Sequence, residues 1–407
     1  MKIYWWDSLQ TNPDVYTQTT TTNRLPVLDE LIRRGHQVEF TWLPRAVNGK
    51  SVEDTGRYAS LWAHVESAKV RRKQLYEISH YKANGPDGAW RGISAMKELV
   101  ETDDAWSSFN ADLLFLKNVP CVGMDARLFM LAPIYNAVLS EKPVVILDGE
   151  YQFAALRASF STLVSLGKRG VGRKIKQEDF ERLVTVWSPY QKRTWPRQRV
   201  MFYVYDTTSE KPLPTTDDEA EFVFGYIGND YQRHEYLAKF YKKRLADGTE
   251  IPNAIWGRWR KEKADYIKRR LDDVVGAETF KGEVPPSKIS ECYRRCAASI
   301  VIAHRKFYAA GMLTQRFGEV IAAGRYLFVD KALRGSNALL SDDRCRVQTP
   351  EEAYNRLSVT TPEQYVDAVA TQREEFRTNN RLTPSYWVDC LEEVVSSANI
   401  TEDQPAW

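Results

Sequence analysis

No run of apolar residues in the 407-residue chain is long enough to span a bilayer, which removes helical membrane proteins from consideration. The opening Met1-Lys2-Ile3-Tyr4-Trp5-Trp6-Asp7 has the pattern of a strand rather than of a secretory leader. Histidine is scarce: there are five, with no two at metal-ligand spacing, so no structural zinc is expected. The five cysteines are an odd number with no tight framework, which fits a reducing, cytoplasmic setting. Cys292 and Cys296 stand four apart and read as buried thiols on a helix. The chain has no glycine-rich dinucleotide fingerprint, no Walker motif and no Asp-x-Asp motif that would fix a divalent ion. A net charge of only +3 does not by itself indicate a nucleic-acid partner. No internal repeat stands out.

What is present suits a soluble α/β protein. The length exceeds one ordinary core and fits two domains. Aromatic residues make up 12% of the chain, with twelve tryptophans, and stacking on bases or sugars would use them. Strand and helix patterns alternate: strand 3–6, helix 23–34 with Leu25, Val27, Leu28, Leu31 and Ile32 on one face, strand 36–43. A polar, aromatic-rich insertion occupies about 48–104. The alternation then resumes with strands at 111–116, 143–147 and 183–187 and a helix at 128–140. Residues 207–220, with Pro212 and Pro214 among threonines and acids, read as a linker. A second series follows: strands 221–227, 253–256, 298–303 and 326–330, with helices at 234–245, 261–274, 287–296 and from Arg316. The expected domains are 1–206, 221–383 and a last helix in 384–407 that returns to the first domain and packs across both. Two Rossmann-like β/α/β domains would face a deep cleft.

Several short segments carry chemistry. In Thr314-Gln315-Arg316-Phe317-Gly318-Glu319, Arg316 and Glu319 share one helical face where a loop becomes a helix. A guanidinium there can seat a diphosphate, and a carboxylate one turn on can hold both hydroxyls of a ribose. The same spacing also suits a surface ion pair. Tyr226-Ile227-Gly228-Asn229-Asp230-Tyr231-Gln232-Arg233 follows a strand and opens a helix; Gly228 permits close backbone approach and Arg233 can meet a phosphate. Asp148 ends the strand at 143–147, where ligands of open α/β sheets bind. It can act as a general base on an acceptor hydroxyl, with Glu150 in reserve, or simply cap the next helix. Lys168, Arg169, Arg173, Lys174, Lys176, Arg182, Lys192, Arg193, Arg197 and Arg199 form a basic strip suited to a phosphate backbone. A second cluster, Arg258 to Arg270, contains Trp256 and Trp259 nearby, an arrangement that suits an unstacked base. Solvated helix faces would give the same pattern.

Tyr226 to Arg233, Trp256-Gly257, Gly282-Glu283-Val284-Pro285 and Thr314 to Glu319 resemble, in order and approximate spacing, the DNA β-glucosyltransferase family of the T-even phages. The resemblance spans most of the C-terminal half and extends more weakly to the first strands and to Asp148. It implies a GT-B enzyme that transfers glucose from UDP-glucose to 5-hydroxymethylcytosine in duplex DNA, in the cytoplasm of a host, as a monomer away from any membrane. Arg316 and Arg233 would bind the diphosphate, with backbone contacts from Gly228 and Asn229. Glu319 would hold the ribose, and the backbone of Val284 would read the uracil edge. Asp148 would activate the hydroxymethyl oxygen for an inverting displacement. No cofactor is required beyond the UDP-sugar, although Mg or Mn can assist the departing diphosphate.

The chain departs from this pattern. Asp230 stands near where the family has a second phosphate-loop arginine, and His304-Arg305-Lys306 make basic a loop that is acidic in the family. The sugar therefore stays open, and so does the base, with 5-hydroxymethyluracil an alternative. A GT-B enzyme acting on a surface glycan, lipid or protein, and a non-catalytic DNA-binding relative, are the competing readings. A glycosidase has no further support in the chain.

Overall fold

The computed structural model describes residues 1–7, 25–42, 110–117, 124–149, 151, 153–154, 156–158, 160, 164, 175–229, 233–259, 265–285 and 288–398. The insertion expected at 48–104 lies outside them. The chain divides into two compact units. The described residues of the first reach Phe202 and resume at Pro384; those of the second run from Tyr203 to Thr383.

The first unit is built on strands β1 (Lys2–Asp7), β2 (Gln37–Trp42), β3 (Leu113–Lys117), β4 (Val144–Leu147), β5 (Val184–Ser188) and β6 (Gln198–Val200). They form one sheet in the order β2-β1-β3-β4-β5-β6, every pairing parallel. Val144 to Leu147 and Val184 to Ser188 are buried throughout, without alternation, as a parallel sheet covered on both faces requires. Helix α1 (Leu25–Arg33) buries Val27, Leu28 and Leu31, while α2 (Met124–Leu139) buries Ile134, Tyr135 and Val138. Helix α3 (Gln177–Leu183) contributes Phe180, which stacks on Phe160 at 4.6 Å; Phe153 meets Trp195 edge-on at 5.4 Å. These rings share one buried cluster with Val144 and Ile146 of β4.

In the second unit β7 (Phe222–Ile227), β8 (Asn253–Trp256), β9 (Phe280–Gly282), β10 (Cys296–Val301), β11 (Tyr326–Asp330) and β12 (Arg346–Val347) form an all-parallel sheet ordered β12-β11-β10-β7-β8-β9. Renumbered from β7, this is the doubly wound order in which the direction of winding reverses between the first and fourth strands. That switch point falls between β7 and β10. Tyr241 ties the two strands together from within the core. Its hydroxyl lies 3.0 Å from the Gly225 carbonyl and 2.8 Å from the Ile300 carbonyl, and accepts the Ile300 N–H. Helices α4 (His234–Phe240), α5 (Asp265–Val274), α6 (Ile289–Arg294), α7 (Arg305–Ala310) and α8 (Arg316–Ala322) connect these strands.

The expected and observed elements differ in places. Residues 304–306 form the cap and first turn of α7 rather than a loop, because His304 accepts the Lys306 N–H and so satisfies an open helix end. The proline- and acid-rich stretch 207–220 lies in the second unit and is anchored there: Lys211 N–H donates to Ala322, Arg294 reaches the Pro212 carbonyl, and Glu210 pairs with Arg377. Two helices went unread, α9 (Pro350–Ser358) and α10 (Pro362–Thr378). Thr349 and Thr361 cap them ahead of prolines in the first turn, and Gln372 of α10 grips both backbone groups of Leu327. The last helix, α11 (Pro384–Ala398), belongs to the first unit. Trp387 packs edge-on against Trp187 at 5.5 Å, and Asp389 meets Arg34 at 2.7 Å.

Candidate functional site

The carboxyl ends of β7, β8 and β9 are zipped together by their glycines. Gly228 N–H donates to Trp256 O at 3.0 Å, and Gly257 N–H donates to Gly282 O at 2.7 Å. Gly257 sits at φ +123°, and a Cβ there would lie 2.0 Å from the Gly228 carbonyl oxygen, so only glycine fits. Asn229 Oδ1 accepts the Arg258 N–H at 2.8 Å, which fixes the next residue of the loop.

Onto this platform α8 places Arg316. Its Nε–H donates to the Ile227 carbonyl at 2.7 Å, and its Cζ lies 5.6 Å from the centre of the Tyr226 ring. The bond fixes the plane of the guanidinium at the carboxyl end of the sheet. Arg233, buried at the start of α4, donates from Nη1 to Asn229 O at 2.7 Å. Two guanidiniums thus flank the Gly228-Asn229 turn at the switch point. The β10 end closes in from the other side. Burial, then the charges of Lys306 and Arg233, hold the His304 imidazole below its ordinary pKa, which brings Arg233 and His304 into one neighbourhood.

Glu319 lies in the first turn of α8, the same turn as Arg316. Both act on the buried Tyr293: burial pushes its hydroxyl pKa up, the Glu319 charge adds to this, and Arg316 opposes it. Val284 follows β9, half-buried beside Glu283, whose carboxylate pairs with Arg258 at 2.9 Å on the surface. The structure therefore brings Gly228, Asn229, Arg233 and Arg316 into contact. It groups Glu319 with Arg316 through Tyr293 and sets Val284 on the adjoining strand end. Among the described residues, no three His, Cys, Asp or Glu side chains gather as a metal site would require.

In the first unit Asp148 leaves the end of β4 fully buried. Its N–H donates to Trp187 O at 2.8 Å. Its Oδ2 accepts the Phe153 N–H at 2.9 Å and the Tyr190 hydroxyl at 2.7 Å. The helix-capping role is thus realised, and it holds the carboxylate in one orientation. Tyr190 follows β5, the neighbour of β4, and meets Tyr151 edge-on at 4.8 Å. Tyr151 is held at φ +54°, in the left-handed region that non-glycine residues seldom adopt, and Lys192 Nζ lies 5.9 Å from its ring centre. Glu150 lies outside the described residues. Sequence reasoning missed Tyr190 and Tyr151. The usable signal was position: Tyr190 stands two residues past the end of the strand adjacent to that of Asp148.

The nucleic-acid readings fare unevenly. Lys168, Arg169, Arg173 and Lys174 lie outside the described residues. Lys192 and Arg193 are exposed, with Arg193 donating to the carbonyls of Trp195 and Pro196. Arg199 is engaged within its own unit by Glu393 at 2.6 Å, and Arg197 donates to the Arg182 carbonyl. The expectation that Trp256 and Trp259 offer stacking faces is overturned. Both are buried, Trp259 donating to the Trp256 carbonyl at 3.3 Å, because an indole gains more from a core than from water. Trp5, Trp6, Trp187, Trp195 and Trp387 are buried likewise.

Two doubly wound parallel units define the GT-B fold, the architecture of nucleotide-sugar glycosyltransferases. No protein-family model and no curated protein sequence matches the chain. Solved structures do. The structure described as the DNA-modifying enzyme β-glucosyltransferase, with and without uridine diphosphoglucose, aligns at a TM-score of 0.55 and 13% identity, covering 97% of this chain and 100% of that one. T4 phage BGT in complex with UDP and Mn2+ aligns at 0.54 and 13%, covering 97% and 99%. Anabaena Alr3699/HepE in complex with UDP and glucose aligns at 0.52 and 12%, covering 98% and 100%. At these identities the likeness is one of fold.

Proposed function

We propose that this chain is a UDP-sugar-dependent glycosyltransferase that acts, with inversion, on the hydroxymethyl group of a 5-hydroxymethylpyrimidine in duplex DNA. The observation that carries the reading is the pair of guanidiniums, Arg316 and Arg233, fixed around the Gly228-Asn229 turn at the switch point of the second unit. Two cations match the charge of a diphosphate, and their place is where ligands of doubly wound sheets bind. Glu319 would take the ribose hydroxyls, and the backbone at Val284 the uracil edge.

In the reaction, Asp148 removes the proton of the acceptor hydroxyl. The oxygen forms a bond to the anomeric carbon as the bond from that carbon to the β-phosphate oxygen breaks, and UDP departs with the electron pair. Direct displacement from the opposite face inverts the centre, and no covalent enzyme intermediate forms. Arg316 and Arg233 stabilise the charge that develops on the leaving diphosphate. Lys192 and Arg193 would hold the DNA backbone in the first unit.

A second acceptor class, a surface glycan, lipid or protein, is favoured by two observations: Arg197 and Arg199 of the strip are bound to groups of their own unit, and Trp256 and Trp259 are buried. Radiolabelled UDP-sugars offered with duplexes containing 5-hydroxymethylcytosine, 5-hydroxymethyluracil or neither decide between the two. Label found only on a hydroxymethylated duplex supports the DNA reading. UDP-sugar binding with no label on any DNA moves the assignment to the second class.

A further inference from the structure

We propose that the ring of Tyr151 is the surface on which the acceptor base stacks once it has left the duplex, with Lys192 meeting the phosphate beside it. The proposal rests on the DNA reading and adds to it a residue that binds the acceptor.

The need for such a surface follows from burial. Asp148 is fully buried, so a base that stays paired and stacked within a duplex does not present its hydroxymethyl group to that carboxylate. A base drawn out of the helix loses its stacking neighbours, and an aromatic side chain beside the reacting group restores one of them. Tyr151 has the position for this. It stands three residues past Asp148 in the chain, and one side chain touches both. The Tyr190 hydroxyl donates to Asp148 Oδ2 at 2.7 Å, while the Tyr190 ring meets the Tyr151 ring edge-on, with the planes 84° apart.

Tyr151 is held, yet partly open. Tyr190 is fully buried, whereas Tyr151 is half-buried. The Tyr151 hydroxyl makes no hydrogen bond among the described residues, so its neighbours hold the ring and leave the phenol oxygen unused. The other described non-glycine residues at positive φ, Asn110 and Glu141, lie in turns between elements; Tyr151 alone among them adjoins the candidate base. Such a conformation persists where the surroundings impose it, and here it sets the direction in which the ring leaves the chain. Lys192 is exposed and has no ion pair among the described residues. Its ammonium, 5.9 Å from the ring centre, stands at the outer limit of about 6 Å for a cation held by a ring. It is therefore loosely held and can turn to an anion. A nucleotide brings one planar ring and one phosphate together, which suits an aromatic face with a loose ammonium beside it. A neutral glycan would use the ring and leave the charge idle.

Two substitutions separate the ring from the rest of the residue. Tyr151→Leu keeps a bulky apolar side chain at the same φ and removes the ring; Tyr151→Phe removes the hydroxyl alone. In transfer to a 5-hydroxymethylcytosine duplex, Tyr151→Leu should raise the acceptor KM about tenfold or more, with the Kd for UDP unchanged. Tyr151→Phe should stay within about twofold of the wild type, since stacking needs only the ring. A second readout requires no turnover. By fluorescence anisotropy, Tyr151→Leu should bind the hydroxymethylated duplex more weakly than the wild type does. It should match the wild type on the same duplex with an abasic site at the target position, where there is no base to stack. A ring that served packing alone would affect the two duplexes equally. Equal losses on both, an unchanged acceptor KM in an active Tyr151→Leu, or a loss shared by Tyr151→Phe overturns the proposal while wild-type transfer to DNA keeps the DNA reading. A wild type that labels no DNA overturns the DNA reading and the proposal with it. Label passing to a glycan instead, with its KM raised in Tyr151→Leu, would assign the ring to the second acceptor class.

Discussion

The Arg316 guanidinium lies against the backbone of Gly228: a Cβ on residue 228 would stand 2.8 Å from its Nη2 and 3.0 Å from its Nε. The contact leaves no room for any side chain unless the guanidinium moves. Gly228→Ala should therefore displace the Arg316 guanidinium, strain a backbone held at φ +159° by on the order of 1 kcal/mol, and weaken UDP binding about tenfold. Calorimetric titration with UDP beside a thermal melt checks both halves. Gly257→Ala behaves differently, because its Cβ would meet backbone at φ +123°. It should cost on the order of 1–3 kcal/mol and lower the melting midpoint itself.

Burial of Trp259 predicts a core phenotype. Trp259→Ala should destabilise the second unit by about 3–5 kcal/mol, visible in denaturant unfolding. A variant of wild-type stability that had lost DNA affinity would restore the stacking role rejected above.

Charge reversal at the exposed pair Lys192 and Arg193 should weaken duplex binding, lower the slope of log K against log salt by about 2, and leave the Kd for UDP unchanged. Fluorescence anisotropy across a salt series provides the slope. An unaltered slope would count against the DNA backbone as their partner.

The Arg33 guanidinium, opposed by burial and assisted by Arg34 and the Ser385 hydroxyl, holds the Glu30 carboxyl at about 2, below its ordinary 4.5. A depressed carboxyl contributes stability that is present above its unfolded pKa and lost as pH falls through the folded one. Glu30→Gln should therefore melt below the wild type at pH 6, with the gap closing between pH 4.5 and pH 2. Because Arg34 also binds Asp389 and Glu392, the variant should loosen α11 from α1. A pH-independent gap in the melting temperatures would contradict this linkage.

Strand positions were legible because buried parallel strands are continuous apolar runs, as at Val144 to Leu147 and Tyr326 to Asp330, whereas the strand order came only from the pairing. Gly228 was legible because it directly follows such a run, and Arg233 and Arg316 because each stands where a helix opens. What failed was reading exposure from composition. Trp256 and Trp259 look like a base-binding pair beside their arginines, but the local sequence does not say which face of β8 is covered. Tyr190 escaped because its partner Asp148 is 42 residues away, and only the pairing of β4 with β5 brings them together. The helices α9 and α10 carry a legible start signal, a capping threonine ahead of a proline at Thr349 and Thr361, that went unused.

The central claim is a division of labour between the Arg316 site and Asp148, and steady-state transfer onto a 5-hydroxymethylcytosine duplex tests it most directly. Arg316→Ala should raise the donor KM by about thirtyfold, the worth of one charge-assisted contact. Asp148→Asn should lower kcat by about a hundredfold or more while the Kd for UDP-sugar stays at the wild-type value. Equal losses of donor binding in the two variants, or full kcat in Asp148→Asn, would contradict the account.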